Sequence, residues 1–290
     1  MNENQSNSIK LRQNEKYSIT LLAAQRQLYS HASMYNIAIV CFTILIPLVF
    51  SFVQSIMPYS ELIAAVITVM ALVACHYLET AIINKKRLAS KIQLLFDLHV
   101  FQLQWNELIF GEILDNEDCV AVYSEKIMAN NNKRQSLYDW YNIRTDSCRA
   151  ANTILGCQKE SIRWDSRLRE RYKRAIVILF VIILFIRLLL GIIHNWNIRK
   201  WLIEIIVLIP LLQWMLSLQR QLSNDISLQN ELRFLFNHCN PDSVVDLQII
   251  EMKLTELRER LVVIPDFFYK IFKAKDELIE KEISDLVIHK

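Results

Sequence analysis

Glycine and proline are scarce. Three Gly and five Pro in 290 residues leave few places where the chain can turn sharply, which excludes a hairpin-rich β fold and favours long helices. No stretch of strand-like alternation is found. Charge of one sign is lacking too. A formal net charge of +3 is too small for binding of nucleic acid by bulk electrostatics, and no DNA or RNA partner is expected. The six cysteines, at positions 41, 75, 119, 148, 157 and 239, form no C-x-x-C pair; reduced thiols are expected rather than a disulfide framework. The six histidines lack metal-ligand spacing, and H-E-x-x-H, G-x-S-x-G and Walker signatures are absent. His238 and Cys239 are adjacent, with nothing nearby to complete a dyad. No enzyme activity, metal or cofactor is therefore expected. No cleavable signal peptide is expected: residues 1–34 are polar, so the first apolar stretch is expected to act as its own targeting signal.

What the chain does have is hydrophobic length. Hydrophobic residues make up 53% of it, the mean hydropathy is +0.20, and four apolar stretches fall in two close pairs: 35–56 with 62–78, and 175–193 with 201–218. As helices, each can cross a bilayer. The short joins within each pair, 57–61 and 194–200, leave no room for a domain. The expected architecture is an all-α integral membrane protein: two transmembrane helical hairpins, 35–78 and 175–218, and a cytoplasmic helical bundle built from 1–34, 79–174 and 219–290. Lys10, Arg12, Lys16, Arg26, Lys85, Lys86, Arg87 and Lys91 flank the first hairpin, and a run from Arg163 to Arg174 precedes the second. The positive-inside rule places both termini in the cytoplasm; Arg199 and Lys200 at the second tip are the one exception to the pattern. Several helices are expected to run on from the spans. One continues from the second span to about Gly111, one enters the third span unbroken, and one leaves the fourth and ends near His238. Asn240–Pro241 reads as an N-cap with Pro at the first helical position. The Leu247, Ile250, Leu254, Leu257, Leu261 stripe reads as packing within one subunit, with a coiled-coil seam between subunits as the alternative.

Polar residues inside apolar stretches are expensive. A charge at mid-span costs about 2.5–3.5 kcal/mol on insertion scales. Arg187 and Glu204 lie at depths that differ by about 5 Å, so they are candidates for an ion pair, either as a gating or pore element or as a structural staple. Gln213 is a third candidate, as pore lining or interhelical glue. Pro47 and Pro210 can kink their helices.

The densest positive charge is on the helix before the third stretch. Arg163, Arg167, Arg171 and Arg174 follow at spacings of 4, 4 and 3 and share a face. Lys173 and Arg174 read as a juxtamembrane flank for anionic lipid. Arg163, Trp164 and Arg167, farther from the membrane, are a candidate ligand site, since arginine forks grip phosphate and an indole can stack on a base; ordinary packing and ion pairing is the competing reading.

The run Cys157-Gln158-Lys159-Glu160-Ser161-Ile162-Arg163-Trp164-Asp165-Ser166-Arg167-Leu168-Arg169 resembles the Cys-Gln, Trp-Asp and Leu-Arg signature of the SMODS-associating four-transmembrane effectors. Gln13-Asn14, Leu22 to Arg26 with Tyr29, Phe96-Asp97, Trp105-Asn106, Trp140-Tyr141 and Ile264-Pro265-Asp266 with Tyr269 resemble the family's other landmarks, in order along nearly the whole chain. Lys159 stands where the family pattern has Arg, and Ser161 where it has Asn. The resemblance implies bacterial antiphage defence. On that expectation the protein sits in the bacterial inner membrane and a cyclic oligonucleotide messenger, made on infection, regulates it. It then acts by pore formation or disruption of the inner membrane and kills or arrests the infected cell. Four spans can hardly enclose a lumen, so a homo-oligomer is expected. A constitutive channel or small-solute transporter, and a non-conducting membrane scaffold, are the alternative readings.

Overall fold

The computed structural model describes residues 9–46, 60–112, 117–141 and 150–288, and all regular structure among them is helical. α1 (Lys16–Val40) passes directly into a π-helical turn, Cys41–Leu45. α2 (Ser60–Phe101) carries the second apolar stretch on into the bundle without a break. Three short helices follow: α3 (Glu107–Phe110), α4 (Glu117–Met128) and α5 (Asn131–Gln135). α6 (Ala150–Ile193) and α7 (Ile198–His238) form the second hairpin, and α8 (Val244–Arg260) and α9 (Asp266–Ile288) complete the chain.

One helix among the described residues, Asn152–Ile193, is long and apolar enough by length and composition to cross a membrane, and 17% of its most apolar window is buried. The stretch 35–56 and the join 57–61 fall partly outside the described residues. So do Pro47, the whole of 142–149 with Cys148, and the side chains of Glu204 and Pro210.

Two helix ends differ from the sequence expectation. α2 stops at Phe101 instead of near Gly111. Gln102 takes a left-handed conformation (φ 55°), and the Leu103 amide donates back to the Leu98 carbonyl at 3.0 Å. This is the closing bond of a helix-ending motif usually marked by glycine; a glutamine gives no such mark in the sequence. At the other site, Asn240–Pro241 does not open α8. The Asn240 side chain accepts from the Asp242 amide at 3.1 Å and closes a turn. Ser243 is the N-cap, its hydroxyl accepting from the Asp246 amide at 3.2 Å.

α6 and α7 pack as an antiparallel pair along their whole length. On α7 the buried positions Leu211, Met215, Leu218, Leu222, Asp225, Gln229, Leu232 and Phe236 alternate at spacings of 4 and 3, the pattern of a coiled-coil seam. The apolar face of α8 closes the bundle: Leu247, Ile250, Leu254, Leu257 and Leu261 are all buried, and four of them pack with Leu155, Ile162, Leu232 and Phe236. At the far end of the α6–α7 hairpin, Trp196 and Trp201 meet edge to face at 5.4 Å. A Cβ at Gly191 would lie 2.4 Å from the Trp201 ring, so the tip closes only around a glycine. Gly191→Ala is expected to unseat Trp201 and lower stability by about 1–3 kcal/mol, read as a lower thermal midpoint in detergent by tryptophan fluorescence.

Candidate functional site

Two features of the bundle carry chemistry: a frame of buried ion pairs and an open basic cleft. The frame has two parts. In the first, Asp97 of α2 is fully buried; it accepts from the Tyr141 hydroxyl at 2.5 Å and from Arg258 Nη1 of α8 at 2.8 Å. Glu251, also fully buried, accepts from Gln158 Nε2 of α6 at 2.8 Å. Burial raises the Asp97 carboxyl above its ordinary range. Burial and the neighbouring Asp97 charge push Glu251 up to about 8. One guanidinium thus faces two carboxyls, and Glu251 holds its proton at neutral pH. Burial alone would lower Arg258, but the Asp97 carboxylate outweighs it and holds the guanidinium firmly charged.

The second part lies in the α6–α7 seam. Arg169 donates to Asp165 at 2.6 Å, to Asp225 at 2.7 Å and to the Val262 carbonyl at 2.9 Å. Gln229 of α7 donates to Asp165 of α6. In an otherwise apolar seam such a layer fixes which turns of the two helices face each other. Lys86 of α2 lies beside this layer; burial lowers its ammonium to about 8, and Asp225 opposes the shift.

The cleft opens between α6 and α7, with a volume of about 370 Å³. Lys159, Arg163 and Arg167 of α6 line it, successive turns apart, and Arg233, Phe236 and Asn237 of α7 face them. Phe236 forms an apolar floor, 2% exposed, with the Lys159 ammonium 6.0 Å above its ring. Four cations and no carboxylate are among the described residues of the lining, so the cleft suits a polyanion. Its size is within the usual range for small-ligand sites. By helix rise Arg163 lies about 18 Å from the start of the apolar stretch at Ala175, on the same unbroken helix.

The expected ligand residues separate. Arg163 and Arg167 come together in the cleft. Trp164 turns away and packs edge-on against Tyr269 of α9, ring centres 4.8 Å apart, so it offers no stacking plane there. Lys159 and Arg233 join the site. Arg233 could be found from the sequence only by folding the hairpin about residue 197, which sets it opposite position 161, within one turn of Arg163. Of the polar residues in the apolar stretches, Arg187 is 6% exposed on a helix whose neighbouring residues stay open, whereas Gln213 is exposed. These two do not share a face of one site. Asp97 and Asp165 are hydrogen-bond partners inside the bundle, and Asp139 bonds the Asn14 amide at 2.9 Å. No group of three or more His, Cys, Asp and Glu among the described residues could hold a metal ion.

Long helices that run without a break from apolar stretches into a polar bundle, one of them apolar and long enough to cross a membrane and lining a basic cleft, define the class as an all-helical protein of membrane type. Comparison with known proteins places the chain: it belongs to the SMODS-associating 4TM effector domain family, whose model matches residues 7–282. A curated relative from Bacillus cereus (strain VD146), described as a probable CBASS effector molecule, is 23% identical over 285 residues, covering 92% of this chain and 93% of the relative. No solved structure matches the chain.

Proposed function

We propose that this protein is a CBASS effector of bacterial antiphage defence that binds a cyclic oligonucleotide in the basic cleft and responds by permeabilising the inner membrane. The cleft carries the reading: four cations flank one cavity on a helix that continues into the apolar stretch. A cyclic oligonucleotide presents several phosphodiester anions on a compact ring, and arginine forks at successive turns match such spacing. The protein acts without catalysis, spans the membrane four times with both termini cytoplasmic, and works as a homo-oligomer. Gln213 supports the last point, because its amide stands exposed on the apolar part of α7, where lipid offers no partner and a neighbouring copy does.

The test is dye release from liposomes holding the purified, full-length protein. Release is expected on adding one of a panel of cyclic di- and trinucleotides, and not on adding the linear mononucleotides. Steady release without nucleotide would indicate a constitutive channel. No release with any member, from protein shown to be folded, would remove the reading.

A further inference from the structure

We propose that the connection between α8 and α9 is a strap that carries occupancy of the basic cleft to all four long helices, and that Asp276 is its latch. The proposal rests on the cleft being the messenger site and adds how that site is read out. The strap, residues 261–265, and the residues at its ends make hydrogen bonds to each helix that leads into an apolar stretch. From α1, Asn36 Nδ2 donates to the Val263 carbonyl at 3.4 Å, and Ser33 Oγ accepts from the Asp266 amide at 3.3 Å. From α2, Lys86 Nζ donates to the Arg260 carbonyl at 3.1 Å. From α6, Arg169 donates to the Val262 carbonyl at 2.9 Å, and on α7 Asp225 accepts from the Val262 amide at 2.9 Å. These contacts sit at the cytoplasmic ends of the apolar stretches, so the strap ties four helices into one collar.

The cleft is linked to the strap through α9. Asp276 is fully buried and faces two arginines of α6. Arg171 donates to it at 2.8 Å, while Arg167 stands at 3.5 Å, the looser of the two. Arg167 also lines the cleft. A phosphodiester entering the cleft therefore competes with Asp276 for the same guanidinium. When Arg167 moves to the phosphate, a buried carboxylate is left with one partner, an expensive state. Nearby, α9 is also tied to α6 by Trp164 against Tyr269 (4.8 Å), Phe268 against Tyr172 (5.1 Å) and the Arg171 guanidinium over Phe272 (4.9 Å). Release at Asp276 loosens α9, and with it Asp266 and the collar. The latched form is the closed one.

The test is Asp276→Asn in the full-length protein in liposomes. Without any nucleotide, amide exchange over residues 261–276 is expected to rise by roughly ten-fold and dye release well above wild type. Should that variant not fold, Arg171→Lys, which keeps the charge and loses the fork, is expected to give the same change in smaller measure. Faster exchange with wild-type release, or unchanged exchange, overturns the strap. Failure of the cleft reading is separately visible. If wild type binds none of the cyclic nucleotides yet Asp276→Asn leaks, the latch stands and the cleft is not the messenger site; if wild type binds and Asp276→Asn changes nothing, the latch falls alone.

Discussion

Arg258→Met is expected to destabilise the folded protein by about 3–5 kcal/mol, enough to leave much of it unfolded at growth temperature. The substitution keeps the apolar stem and removes the guanidinium that bonds Asp97 at 2.8 Å inside the bundle. Asp97 is then left as a fully buried carboxylate beside the protonated, equally buried Glu251, with no counter-charge among the described residues. Thermal and denaturant unfolding in detergent measures the loss. Glu251→Gln makes the contrasting case. The glutamine mimics the protonated acid, so at pH 7 this variant is expected to be near wild type. The pH dependence separates them. Glu251 sits at about 8 in the folded protein, against about 4.3 for a free glutamate. Between these values the folded chain keeps a proton that the unfolded chain has lost. Stability from this group is therefore complete at low pH and falls as pH rises through the folded value. Wild type should lose stability from pH 6 to pH 9, and Glu251→Gln should lose much less. An Arg258→Met protein as stable as wild type, or parallel pH profiles, would show that the network does not hold the bundle together.

The helices were legible and their ends were not. Scarce Gly and Pro, together with apolar stretches that run on into amphipathic ones, imply long helices, and α6 and α7 are unbroken as expected. The helix end at Gln102 and the N-cap at Ser243 depend on local backbone choices that several residue types can make. The site divides in the same way. A run of arginines at helical spacing marks Arg163 and Arg167 from sequence alone, but periodicity says only which residues share a face, not what covers that face. Trp164 follows Arg163 by one position and so points elsewhere, to Tyr269. Arg233 is remote in sequence and enters only through the register of the hairpin. That register is itself written in polar residues, Asp165 opposite Gln229 and Arg169 opposite Asp225, which look isolated until the two helices are laid side by side. Asp97 comes from α2, whereas Glu251 and Arg258 lie seven residues apart on one face of α8, and nothing in that spacing points to a partner on a remote helix.

The double charge reversal Arg163→Glu with Arg233→Glu is expected to weaken cyclic-nucleotide binding at least a hundred-fold and to abolish nucleotide-triggered release. Each arginine can give a charge-assisted contact of about 1.5–3 kcal/mol, and two such losses multiply to that factor before the added repulsion is counted. Equilibrium dialysis with labelled cyclic nucleotide, at two salt concentrations, measures it; wild-type binding should weaken with salt because the cleft is open to solvent. Two controls separate this site from its neighbours. Arg174 is exposed and donates to the Glu170 carbonyl of its own helix, so Arg174→Glu tests attraction to lipid headgroups. It should lower association with anionic vesicles and leave nucleotide affinity intact. Trp164→Leu removes the contact with Tyr269 and should lower the unfolding midpoint, with affinity per folded molecule unchanged. If instead Trp164→Leu abolishes binding in a folded protein while the double reversal binds as wild type does, the messenger sits on the α6–α9 side of the helix and not in the basic cleft.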